Sequence, residues 1–149
     1  MSTQRFDTSK LDKQTFDLGM IYAFTECVAS GVKKIGLSPP QTEKELESII
    51  EDVKLITGEY SVTYFVDHDF LETLLFNPEY TRGKIVIHLA ENLKAVQDYK
   101  ALREEKNKHV KNGTLTKKVE ETIAWRLGKL LSYSDEAIKN LLSNPRFTT

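Results

Sequence analysis

Apolar positions recur along this chain with two periods, one helical and one alternating, and their order sketches the fold. From Lys13 to Ser30 the spacing predicts a helix that ends near Gly31. At 100° per residue, Phe16, Met20, Ala23, Phe24 and Cys27 form one stripe, while Leu18, Tyr22 and Ala29 lie nearly opposite. A helix apolar on two sides is usually buried between layers or placed at a subunit contact. The alternating run Val32 to Ser38 reads as a short strand, stopped by Pro39-Pro40. Thr42-Glu43-Lys44-Glu45 has capping-box spacing, in which a hydroxyl and a carboxylate each satisfy an orphan amide. Leu46, Ile49, Ile50, Val53 and Ile56 continue from it at helical spacing until Gly58.

Ser61 to Val66 is β-branched and aromatic, hence a strand, and it ends in Asp67-His68-Asp69. The apolar run Phe70 to Phe76 fits either a short helix or an edge strand. Turns follow at Asn77-Pro78 and Gly83. Lys84 to Leu89 is apolar enough for a central strand. The last third is helical: Glu91 to Lys111, with Ala95, Val96, Tyr99, Leu102 and Val110 inward, then about Thr116 to Leu131. A third helix opens at Ser134, whose hydroxyl can cap a first turn bearing Asp135 and Glu136. Strands alternating with helices imply crossover connections. The expected fold is therefore α/β, a small three- or four-stranded, partly parallel sheet with about five helices. Residues 1–12 read as a flexible N-terminal arm and 13–149 as a single domain.

Composition narrows the function classes. The 149 residues suffice for one core without metal or disulfide staples, and 40% hydrophobic with 29% charged residues is globular composition. A formal net charge of −1 gives no field favouring nucleic acid or anionic lipid. Cys27 is the one cysteine, which suits a reducing compartment. The polar N-terminus lacks a signal-peptide core, and Leu18 to Val32 is too short and too polar to span a bilayer, so a cytoplasmic location is expected. Asn112-Gly113-Thr114 then reads as a turn.

Several motifs can be weighed. Gly31 to Ser38 has the glycine and serine spacing of a phosphate-binding loop, but Leu37 stands where its lysine must be and a helix precedes it, so that reading is refused. With parallel strands, Ser38, Asp67, His68, Asp69, Glu91 and Asn92 would share the carboxyl edge, where α/β sheets bind ligands. Asp67, His68 and Asp69 are the catalytic candidates, as divalent-cation ligands or as a general base with its partner. They are equally the residues expected where a strand enters a turn. No second cluster has ligand spacing, so no metal centre is expected, and no motif implies a cofactor. His88, inside an apolar strand, reads as a buried histidine with one hydrogen-bond partner. His109 reads as solvated and Cys27 as a small inert hydrophobe.

From Lys94 to Lys118 eight Lys or Arg face three acids. Glu104 and Glu105 interrupt them, so a solvated face is expected in place of nucleic-acid contact. Trp125 lies nearly opposite its helix's apolar stripe, either covered by another element or exposed as a contact surface. Tyr22 and Trp125 are the interface candidates for a homodimer.

The stretch Arg126-Leu127-Gly128-Lys129-Leu130-Leu131-Ser132-Tyr133-Ser134 resembles a segment of a family of uncharacterised archaeal proteins. There a Gly-x-Leu-Leu-Gly-Tyr-Pro run closes one helix and opens the next, often followed by a cysteine pair. Gly128, Leu130, Leu131 and Tyr133 match it. Ser132 replaces the glycine, Ser134 the proline, and Glu136 and Ala137 stand near the cysteine positions. The resemblance implies a helix–turn–helix closure and no chemistry. Taken together, these readings favour a small-ligand- or partner-binding domain, with an enzyme acting around Asp67, His68 and Asp69 as the alternative.

Overall fold

The computed structural model describes residues 4–144. Its elements in chain order are α1 (Lys13–Ala29), β1 (Ile35–Leu37), α2 (Glu43–Glu59), β2 (Thr63–Asp67), β3 (Val86–Ala90), α3 (Leu93–Asn112), α4 (Lys117–Leu130) and α5 (Asp135–Ser143). Single 3-10 turns form at Thr8–Lys10 and Pro78–Tyr80.

Local signals set the helix ends. Side-chain oxygens of Asp12, Thr42, Asn92, Thr116 and Ser134 each accept an amide of the following first turn. At Thr42 the return bond from Glu45 completes the capping box. Gly113, at φ 67°, ends α3 in the left-handed conformation that glycine adopts without a steric penalty. Gly128 has a different reason. A Cβ there would stand 2.6 Å from the Ile138 side chain, so glycine lets α5 close onto α4. Between those helices the chain turns at Ser132, φ 64°, the position where the resembled segment carries glycine.

The sheet corrects one expectation. It has three strands in the order β1-β3-β2, and both pairings are antiparallel. β1 and β2 do run in the same direction, as their helical crossover requires, but β3 inserts between them and runs against both. Segment 68–85 returns the chain to the same end of the sheet as a wide hairpin loop, so no parallel pair forms. Residues 70–76 make neither helix nor strand. Their apolar side chains Phe70, Leu71 and Leu75 enter the core from irregular backbone.

Beyond β1, Pro39 and Pro40 have no N–H to offer the ladder. Ser38 bridges the gap: its amide donates to the Ile87 carbonyl, and its Oγ accepts the Ile87 amide at 2.9 Å. Pairing resumes at Gln41 with Ile85.

Alternation along β3 divides the core in two. Ile85, Ile87 and Leu89 face α1 and α2, packing against Ile21, Val28, Leu46, Ile49 and Val53. Val86, His88 and Ala90 face α3, α4 and α5 with Tyr99, Leu102, Ile123, Leu127 and Ile138. Trp125 is partly buried against this second cluster, with the Lys129 ammonium 5.7 Å from its ring centroid. Among the described residues no helix is long and apolar enough to cross a membrane.

Candidate functional site

Two polar regions flank the sheet, and they differ in how their charged groups are paired. The first centres on Asp67, at the end of β2 and 1% exposed. Its Oδ2 accepts from Tyr99 Oη at 2.5 Å and from His88 Nε2 at 2.9 Å. Its Oδ1 accepts from Arg103 at 2.6 Å and from the Asp69 amide at 3.0 Å. The carboxylate thus meets four donors. Tyr99 also accepts the Leu71 amide at 2.8 Å, and Arg103 donates to the Asp69 carbonyl at 2.8 Å.

These bonds fix the protonation states. Burial by itself would raise the Asp67 pKa, but the hydrogen bonds from His88 and Tyr99 outweigh it and hold the carboxyl down at about 2. Burial pushes His88 below its ordinary value, against the pull of Asp67. It pushes Tyr99 up, and the adjacent Asp67 carboxylate adds to that rise. The ring of His88 is held by Phe65, Phe70 and Tyr99, the last with centroids 4.3 Å apart. A neutral His88 donating through Nε2 leaves Nδ1 bare, and among the described residues that atom is buried without a partner.

The strand-end triplet is divided. Asp67 points inward, whereas His68 is exposed and lies 3.4 Å from Glu43. Asp69 joins through backbone atoms alone. Nor do the other edge candidates converge. Because β3 is antiparallel, Glu91 and Asn92 lie at the opposite end of the sheet from Ser38 and Asp67; the Glu91 amide donates to Lys34, ahead of β1, and Asn92 caps α3. Among the described residues no group of three or more His, Cys, Asp or Glu could hold a metal ion. Tyr22, exposed, stacks edge-to-face on Tyr60 with their hydroxyls 2.9 Å apart. His88 does take the single partner expected of it.

The second region is a cavity of about 750 Å³ at the β1 edge of the sheet. Phe16, Met20 and Phe24 of α1 form one wall, which is the stripe that the helical periodicity places on that side. The buried ridge of α1 lies elsewhere, along Asp17, Ile21, Thr25 and Val28. The opposite apolar side read from sequence does not become core: Leu18 is half-buried, and Tyr22 and Ala29 are exposed. Ile35, Leu37 and Val86 form the floor, and Phe70, Phe76 and Leu131 close the far side. The N-terminal arm contributes Thr8, Ser9 and Leu11.

The charged side chains on the cavity wall are Lys13, Asp17, Lys33 and Lys84. Lys13 pairs with buried Asp17 and lies 3.4 Å from Glu45. Gln41 donates to the same Asp17 at 2.8 Å, while its own amide oxygen is buried without a partner among the described residues. Lys33 sits where β1 meets the α4–α5 turn. Its ammonium donates to the Leu131 carbonyl at 2.7 Å and lies 5.1 Å from the Tyr133 ring centroid and 5.9 Å from that of Phe24.

Tyr99 is legible in sequence as an inward residue, but its role and that of Arg103 are not. The available signal is their i, i+4 spacing, which puts a cation on the inner face of α3. Lys33 also carries a signal: it shares strand parity with Ile35 and Leu37, so an alternating strand directs it to their apolar face. Comparison of the chain with family models, curated proteins and solved structures finds no match to any of them.

Proposed function

We propose that this chain is a binding domain for a small, largely apolar molecule, with the β1-edge cavity as its site. The observation that carries this reading is the cavity itself. Ligand sites are concave, mainly apolar, furnished with a few polar groups, and typically 300–1,000 Å³ in volume. A volume of about 750 Å³ walled by Phe16, Met20, Phe24, Ile35, Leu37 and Phe70 meets that description. Apolar burial would supply the affinity, and the lysines on the wall the orientation.

The enzymatic alternative finds less support. Asp67 has no lone pair left for a substrate proton, being surrounded by four donors at 1% exposure. A general base needs its proton donor within reach.

The test is titration with a neutral, solvent-sensitive dye, followed by emission shift. The folded protein should bind one equivalent with a blue shift. Met20→Trp and Leu37→Phe, which narrow the cavity, should abolish the shift while leaving the far-ultraviolet circular dichroism unchanged. Equal dye binding in both variants, or none in the parent chain, would remove the cavity from consideration.

A further inference from the structure

Among the described residues the partly buried cations are Arg103, Lys106 and Lys33, and of these Lys33 alone lines the cavity. Arg103 has Asp67 and Lys13 has Asp17. Lys33 is half-buried and, among the described residues, makes no ion pair. Burial pushes its pKa below the ordinary lysine range. A cation taken partly out of water is costly unless a counter-charge meets it. The two aromatic rings and the Leu131 carbonyl repay part of that cost, and one of three N–H groups is used on the carbonyl. Lys84, also on the wall, has no ion pair among the described residues either. Three lysines therefore stand against one aspartate around the cavity.

We infer that the cavity's ligand is a small carboxylic acid with an apolar body, its carboxylate seated on the Lys33 ammonium between Phe24 and Tyr133. This rests on the binding reading above and deepens it. The two remaining N–H groups of Lys33 match the two oxygens of a carboxylate, and a charge-assisted bond is stronger in a partly dry pocket than in water. An alkyl chain or a flat ring satisfies the same apolar walls, so the shared chemistry is the acid head.

The experiment is calorimetric titration of the whole chain with decanoate, 1-decanol and decyltrimethylammonium, each below its micellar range, near pH 7.5. Decanoate should bind about tenfold or more tighter than decanol, as expected for one charge-assisted hydrogen bond. Lys33→Met should bring that ratio close to one, and Lys33→Arg should keep most of it. Because the ratio compares two ligands on the same protein, a general loss of stability in Lys33→Met does not imitate the result. Equal binding of acid and alcohol by the parent chain, or preference for the ammonium, overturns the inference and leaves the cavity reading standing. Failure of all three ligands and of 2-naphthoate to bind overturns both. Adding 2-naphthoate separates aromatic from alkyl bodies, and tight binding of either acid over its neutral analogue supports the assignment.

Discussion

The Asp67 cluster and the β1-edge cavity are both built from a few polar side chains among aromatic rings, yet they call for opposite interpretations. Around Asp67 every carboxylate oxygen is matched, and the groups that match it come from β3, α3 and the 68–85 loop. That is how a polar network fastens a core. In the cavity Lys33, half-buried and without a carboxylate partner among the described residues, stands beside open apolar volume. The distinction lies in whether the buried charges are paired internally, since both regions hold chemically capable residues and each leaves one buried polar atom unmatched among the described residues. A paired network holds the fold, and an unpaired charge beside a cavity is available for a ligand.

Breaking the network should therefore cost stability and spare binding. Asp67→Ala leaves Arg103 without its counter-charge and Tyr99 without its acceptor, and should lower unfolding free energy by about 3–5 kcal/mol in urea titration, the range for removing one partner of a buried charge pair. The fraction that stays folded should still bind the neutral dye. A loss below about 1 kcal/mol would mean that the cluster is not fastened as described.

Acid should act on the same network. Asp67 is held at about 2 against 3.8 in the unfolded chain, so its contribution is present above pH 3.8 and is lost as pH falls toward 2. The difference corresponds to about 2 kcal/mol. His88 adds an earlier limb of the same sign: its folded value lies below 6.5, so the unfolded chain gains its proton first and stability declines as pH falls from 6.5. Urea midpoints measured from pH 7 to 2 should fall along both limbs, and His88→Gln should flatten the first. An unchanged first limb in that variant would assign it to other groups.

Tyr99→Phe removes one hydroxyl that serves Asp67 and the Leu71 amide, and about 1–2 kcal/mol should be lost. The smallest stability effect belongs to the cavity. Met20 is partly exposed on its wall, so Met20→Trp should change stability by less than about 0.5 kcal/mol while blocking the dye. If it destabilised the chain as much as Tyr99→Phe, the wall would be core and the contrast between the regions would fail.

Much of the scaffold is readable from sequence because its signals are local. The Thr42–Glu45 box, Asn112-Gly113 and Ser134 each act within one turn, and the structure starts or stops its helices there. The insertion of β3 between β1 and β2 is not local. It depends on where the 68–85 loop is tied, and those ties are the Arg103 and Lys106 bonds to the Asp69 and Glu72 carbonyls and the Glu72–Arg82 pair. Arg103 and Lys106 thus serve the fold, while Lys94, Lys100, Lys108 and Lys111 form the solvated face that the charge pattern reads. Phe70 to Phe76 escaped a regular assignment for the same reason, being anchored by side chains from α3. The site was half legible. Helical spacing isolates Phe16, Met20 and Phe24, but their role as a cavity wall appears only when β1, the loop at 70–84 and the α4–α5 turn come together.

The most direct test of the central claim is a methyl-resolved NMR titration of the whole chain with decanoate. Saturable shifts at Met20, Ile35, Leu37, Val86 and Leu131, with signals near Trp125 and Ala29 unmoved, are the predicted result. Shifts confined to those distant surfaces, or none at ligand concentrations short of micelles, would contradict it.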